Sequence, residues 1–229
     1  MSDRPSSEAP LAEDHLAAQF RGFGPLGLLA ILVIAAGQLL APLSAVAVLA
    51  WTEISKTPWR EIGYVRPRSW IRTLLVGLAF GVAFKLMMKI LVMPVLGAGP
   101  TNTTYHYLVG NAAALPGAVL MMIVVGGFGE ETVFRGYLFE RAGKLIGHSL
   151  PAKVATVLAT ALLFASLHAF DQGLAGAEQA VFTGTIFGAI YAATGEIWLV
   201  MCAHAAFDLA AVAIIYLGLE TPMARLVFG

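Results

Sequence analysis

Apolar residues fill most of the chain in continuous runs, at about 25–51, 70–96, 116–145, 152–170, 179–193 and 197–217. The runs are continuous, not alternating, which favours helices over a barrel in a bilayer. Most have the 17–25 residues or more that a helical span needs, and the fifth is short enough to stop part-way. The pattern predicts an all-α fold, a multi-pass transmembrane bundle of about six to eight helices. One domain is expected over 25–229, with no internal repeat. Residues 1–24 are polar and of mixed charge, as in a disordered tail. Ala45-Val46-Ala47 has the small-residue form of a signal-peptidase site, but the run around it is too long for a signal core, so an uncleaved span is expected.

Composition sharpens this picture. The chain is 59% hydrophobic and 12% charged, with mean hydropathy +0.80. An ordinary soluble domain carries about 25% charged residues. The formal net charge is zero, so no nucleic-acid partner is indicated; the expected partner is the lipid bilayer. Cys202 is the single cysteine, which excludes an internal disulfide and a cysteine metal cluster. Residues 52–72 hold Lys56, Arg60, Arg66, Arg68 and Arg72 beside Trp59, Tyr64 and Trp70. Aromatic anchors mixed with basic groups suit a headgroup interface. The positive-inside rule makes this loop cytoplasmic in a cell membrane, with the N-terminus outside.

Ionisable groups within the apolar runs are the candidate chemistry, because a charge inside a bilayer is costly. Glu130-Glu131 and Arg135 interrupt the third run, His168 closes the fourth after Phe164, and His204 and Asp208 lie in the sixth. At about 1.5 Å per residue, Glu130 and His168 both lie roughly 27–30 Å from the turn near His148. Continuing through the next turn places His204 near the same level, about 12 Å below the face where His168 lies about 10 Å deep. Three segments therefore bring polar groups to one depth. Glu131 and Arg135 are four apart and share a face, as do His204 and Asp208. Glu130 is rotated about 100° from Glu131, so the two acids are expected to have different partners. Glu131 would pair with Arg135 as scaffolding, leaving Glu130 to the histidines. Gly126, Gly127 and Gly129 leave room beside it. Phe164 reads as core, His15, His106 and His148 as surface residues, and the methionines at 87, 88, 93, 121 and 122 as lipid-facing or core.

A carboxylate, two imidazoles and a second carboxylate can hydrolyse an amide in two ways. With a metal, Glu130, His168 and His204 would bind Zn²⁺, with or without Asp208, and the ion would acidify a bound water. Without one, Glu130 and His168 would take a proton from water, and His204 with its neighbour would stabilise the oxyanion. A different class of function also fits buried acids and imidazoles. A proton-coupled transporter would use Glu130, Lys85 and the histidines as a relay. That reading calls for matched broken helices in two halves, and no such symmetry is present. An inert membrane adaptor is the third class.

Glu130-Glu131-x-x-x-Arg135, Phe164-x-x-x-His168 and His204-x-x-x-Asp208, in that order, resemble the motifs of the CPBP family of CAAX-protease and bacteriocin-processing intramembrane endopeptidases. The resemblance covers about 117–215, and Ile62-Gly63-Tyr64-Val65-Arg66-Pro67 is similar to the basic segment before that core. It implies a helical membrane protease with a cavity in the bilayer, acting on a membrane-associated protein or peptide. Glu130 would be the base, assisted by His168, with His204 and residue 208 at the oxyanion and Glu131 and Arg135 in support. The family's last motif often ends in Asn, where this chain has Asp208. An ionised Asp cannot donate a hydrogen bond. It would have to be protonated, orient His204 or ligate a metal.

Overall fold

The structure is a computed structural model and describes residues 8–37 and 41–227. The described residues form eight principal helices. They are α1 (Glu8–Arg21), α2 (Pro25–Gly37), α3 (Ala41–Ile54), α4 (Trp70–Val95), α5 (Leu115–Ile146), α6 (Leu150–Thr194), α7 (Ile197–Tyr216) and α8 (Glu220–Ala224). The helices α4 to α7 are long and apolar enough to cross a membrane, and α1 with α2 adds a fifth candidate bent by 53°. The chain is a multi-pass helical membrane protein. Side chains such as Leu32, Ile71, Leu120 and Leu162, all more than 60% exposed, form the apolar outer wall that such a protein presents to lipid.

Two segments fold differently from the sequence expectation. Residues 8–21, expected in a disordered tail, are helical. Ala17 is buried and Trp51 Nε1 donates to the Phe20 carbonyl at 3.0 Å, so α1 is held by tertiary contacts that its mixed composition does not advertise. The single span expected over 25–51 is instead a helical hairpin of α2 and α3. Ser44 Oγ donates to the Ile34 carbonyl at 2.6 Å. Arg21 then reaches back to the carbonyls of Ser55 and Lys56 at 2.6 and 2.7 Å, so the chain has returned to where α2 began. Gly37 and Pro42 flank the reversal and weaken helix continuity there; residues 38–40 lie outside the described ones.

The fourth and fifth runs are two arms of α6, broken at Gly173 with φ +65 and ψ −161. That backbone region is almost closed to residues with a Cβ. Beyond it the arms run antiparallel. Ala161 faces Gly184, Val157 faces Gly188, and Lys153 Nζ donates to the Ala192 carbonyl at 3.2 Å, each pair equidistant from the break. A Cβ on Gly77 would lie 2.6 Å from Cys202 Cβ, so Gly77 and Gly81, the GxxxG pair of α4, let that helix pack closely along α7.

The basic loop is also built into the fold. Gly63 takes a left-handed turn with φ +80, and its carbonyl accepts from Ile197 N at 3.1 Å. Tyr64 and the Thr132 hydroxyl are 2.8 Å apart. Thr132 already donates to the Phe128 carbonyl, so Tyr64 is the donor, and burial raises its phenol above the usual range. Arg60, Arg66, Arg68 and Arg72 stay exposed.

The buried interior has two main aromatic clusters. One joins Trp51, Phe134, Tyr137 and Phe164; the other joins Phe84, Phe187, Tyr191 and Phe207. The polar residues of the three motifs lie on the seam between them.

Candidate active site

The centre of α5 is wound wide, as π-helix over Met122–Glu130 and Thr132–Tyr137. Such i→i+5 winding is rare and often accompanies functional sites. Glycines at 126, 127 and 129 admit the neighbouring helix there: a Cβ on Gly127 would lie 2.8 Å from Ala205 Cβ on α7.

Glu131 is fully buried and accepts twice through one oxygen. Arg135 Nη1 donates to Oε1 at 2.7 Å, and His204 Nδ1 lies 2.6 Å from the same atom. Oε2 has no hydrogen-bond partner among the described residues. The Arg135 guanidinium also donates to the Gly184 carbonyl at 3.2 Å and lies over the rings of Phe164 and Phe187, 5.3 and 5.8 Å from their centroids. The same two rings flank His204. Phe164 is therefore core, as expected, and it forms one wall of the site.

On the opposite edge of the imidazole, His204 Nε2 lies 3.7 Å from Glu130 Oε2 and 3.6 Å from Asp208 Oδ2. Both contacts are too long for direct hydrogen bonds, yet close enough for strong electrostatic attraction. The expectation that the two glutamates would have different partners is corrected here. One ring has two nitrogens on opposite edges, so His204 bridges both acids. The side chains of Glu130 and Asp208 keep 19% and 22% of their surface open, against 0% for Glu131. Glu131 is thus sealed in the scaffold, while Glu130 and Asp208 face free space.

That space is a cavity of about 580 Å³ lined by Glu130, His168, His204 and Asp208 together, within the usual range for ligand sites. His168 Nδ1 donates to the Phe164 carbonyl at 3.0 Å. This bond fixes the neutral tautomer and leaves Nε2 bare as an acceptor. Lys85 also lines the cavity and donates to Gln179 Oε1 at 2.8 Å. Lys89 donates to the Pro100 carbonyl at 2.6 Å and lies 3.6 Å from Glu220. Both lysines therefore point into the bundle. The connection before α5 closes one side through Thr101–Tyr105. Sequence reasoning assigned this loop no role, and its polarity was the only signal it gave.

Among the described residues, no group of three His, Cys, Asp or Glu side chains is arranged to hold a metal ion. His204 Nδ1 is engaged by Glu131, and Nε2 faces two carboxylates at ion-pair distance. Glu130, His168 and His204 therefore do not form a ready zinc site, and no step below runs through a metal.

Residues 112–210 match the family model described as Rce1-like, type II CAAX prenyl endopeptidase. This stretch is an Rce1-like CAAX endopeptidase domain. Its limits lie five residues before the 117–215 expected from the motifs, and it contains all three of them. No curated protein and no solved structure matches the chain. The match places residues 112–210 among Rce1-like endopeptidase domains, a family of membrane proteases. Within the endopeptidase domain, α5 supplies both acids, α6 supplies His168 and α7 supplies His204 and Asp208.

Proposed function

We propose that the protein is an intramembrane endopeptidase that hydrolyses a peptide bond of a membrane-associated protein or peptide with water activated by Glu130. The observation that carries this reading is the single cavity bounded by Glu130, His168, His204 and Asp208. Glu130 takes a proton from water, with the bare Nε2 of His168 accepting the water's other hydrogen bond. The water oxygen bonds to the scissile carbonyl carbon, and the C=O π pair moves onto oxygen. His204, held at Nδ1 by Glu131, carries a proton on Nε2 and donates to that oxyanion. Glu130 returns its proton to the amide nitrogen, the C–N bond breaks, and a carboxylic acid and an amine leave. Asp208, 3.6 Å from Nε2, orients the imidazole. Arg135 neutralises Glu131, so the scaffold carries little net charge.

Prenylated proteins are the substrate class that the family's description suggests. The exposed arginines of 60–72 support a cytoplasmic side for that loop by the positive-inside rule. The test compares new protein termini in membranes of cells carrying wild type, Glu130→Ala or His168→Ala. Termini present only with wild type, at equal levels of inserted protein, are expected. Loss of inserted protein in both variants, or identical termini in all three, would remove the reading.

A further inference from the structure

The oxyanion in the scheme above has one evident donor, His204 Nε2, because an ionised Asp208 can only accept. A second donor lies in the loop before α5. Tyr105 lines the same cavity as Glu130, His204 and Asp208 and is half-buried. Its hydroxyl makes no hydrogen bond among the described residues, whereas its backbone is pinned. Its N–H donates to Asn102 Oδ1 at 3.1 Å, and its carbonyl accepts from Leu108 N at 3.0 Å. Asn102 N in turn donates to Glu220 Oε1 at 2.8 Å. Thr104 Oγ1 donates to the Asp171 carbonyl, beside the α6 break, at 3.2 Å. The loop is fastened to α6 and α8, and the ring packs against the cluster of Leu108, Met122 and Val212.

We infer that Tyr105 is a further catalytic residue, its phenolic O–H donating a hydrogen bond to the substrate carbonyl oxygen as it becomes an oxyanion. The inference rests on the protease reading. Chemically, the phenol suits the task. Burial, then the fields of Asp208 and Glu130, push its pKa up to about 12, so it keeps its proton throughout the working range. Carboxylates nearby prevent its ionisation without occupying the hydroxyl. Tyr105 transfers no proton: water still gives its proton to Glu130, and the leaving nitrogen still receives it from there.

The test substrate is a protein whose new terminus appears with wild type and not with Glu130→Ala. In detergent micelles, Tyr105→Phe should lower kcat by about 100-fold, the usual effect of removing one oxyanion donor. KM and the melting temperature should stay unchanged. A peptide aldehyde ending at the scissile carbonyl, which binds as its tetrahedral hydrate, should lose affinity by a similar factor. The matching peptide alcohol, lacking the second oxygen, should bind wild type and variant alike. Equal kcat in both proteins would overturn the role of Tyr105 while leaving the protease reading intact. So would a fall in melting temperature, or equal losses for aldehyde and alcohol, since these mark packing. If no terminus depends on Glu130, the protease reading itself fails, and Tyr105 falls with it.

Discussion

Adjacent glutamates in one helix should give opposite phenotypes when each is replaced by glutamine. Glu131 is wholly enclosed and holds Arg135 and His204 at 2.7 and 2.6 Å. Neutralising it leaves Arg135 with the Gly184 carbonyl and two ring faces, and no carboxylate in contact. Breaking a buried ion pair from one side costs about 3–5 kcal/mol. Glutamine keeps the shape and one hydrogen bond, so about 3 kcal/mol is the figure to expect. For a chain of this size each kcal/mol moves the melting temperature by about 2–4 °C, giving a fall of about 6–12 °C. Glu130 makes no hydrogen bond among the described residues, and its ion-pair contact there is with His204 at 3.7 Å. Its replacement should shift melting by less than about 3 °C, as a change of under 1 kcal/mol would, and should abolish hydrolysis. The assay is thermal unfolding of purified protein in micelles, run beside cleavage of a substrate identified by its Glu130-dependent terminus. A Glu131→Gln protein that melts with wild type, or a Glu130→Gln protein that melts far below it, would refute the division into scaffold and reagent.

Other consequences follow from the same geometry. A Cβ on Gly126 would lie 2.5 Å from Asp208 Oδ2 and 3.9 Å from His204 Nε2, so Gly126→Ala should displace Asp208 and cut kcat/KM at least about tenfold, the result of a small misplacement in a catalytic group; unchanged kinetics would mean that Asp208 moves freely. Asp208→Asn replaces an acceptor with a donor and should retain activity; complete inactivation, accompanied by loss of a stoichiometric metal in elemental analysis, would assign Asp208 to ligation instead. Gly173→Ala places a Cβ where φ is +65 and ψ −161, and should cost about 1–3 kcal/mol, read as a lower unfolding midpoint. A variant as stable as wild type would show that the α6 break relaxes at little cost.

The parts of the site that followed from the sequence are those set by helical depth. Glu130, His168 and His204 lie on three helices whose lengths are fixed by rise per residue, so their convergence on one cavity was computable from turn positions. Glu131 with Arg135 was legible for the same reason, since four-residue spacing survives modest changes in winding. The hairpins were harder to read. The largely apolar stretch at 25–51 has the length of a span, and hydropathy does not record that Ser44 bonds back to Ile34. Gly173 was one glycine among 24, distinguished only by a backbone angle. The bridging role of His204 was not legible, because adjacent acids diverge by about 100° on a helix and spacing does not record that one imidazole meets both through its opposite nitrogens.

Two neighbouring carboxylates buried near each other repel, and one would ordinarily take up a proton. Here His204 lies between them and presents one nitrogen to each, while Arg135 holds the inner acid. With both acids ionised and the ring carrying two protons, Glu130, Glu131, His204 and Arg135 sum to zero, and an ionised Asp208, 3.6 Å from Nε2, adds one negative charge. In the proposed mechanism the outer acid acts as a carboxylate that accepts a proton from water, and His204 at 3.7 Å offers it a cationic partner. On the proposed mechanism the second glutamate supports the first by holding the imidazole that lies between them. Restoring charge balance in Glu131→Gln by adding Arg135→Met should then recover much of the lost stability and little of the activity, because His204 would still lack the acid that fixes its inner edge. Recovery of full activity in the double variant would show that Glu131 serves Arg135 alone.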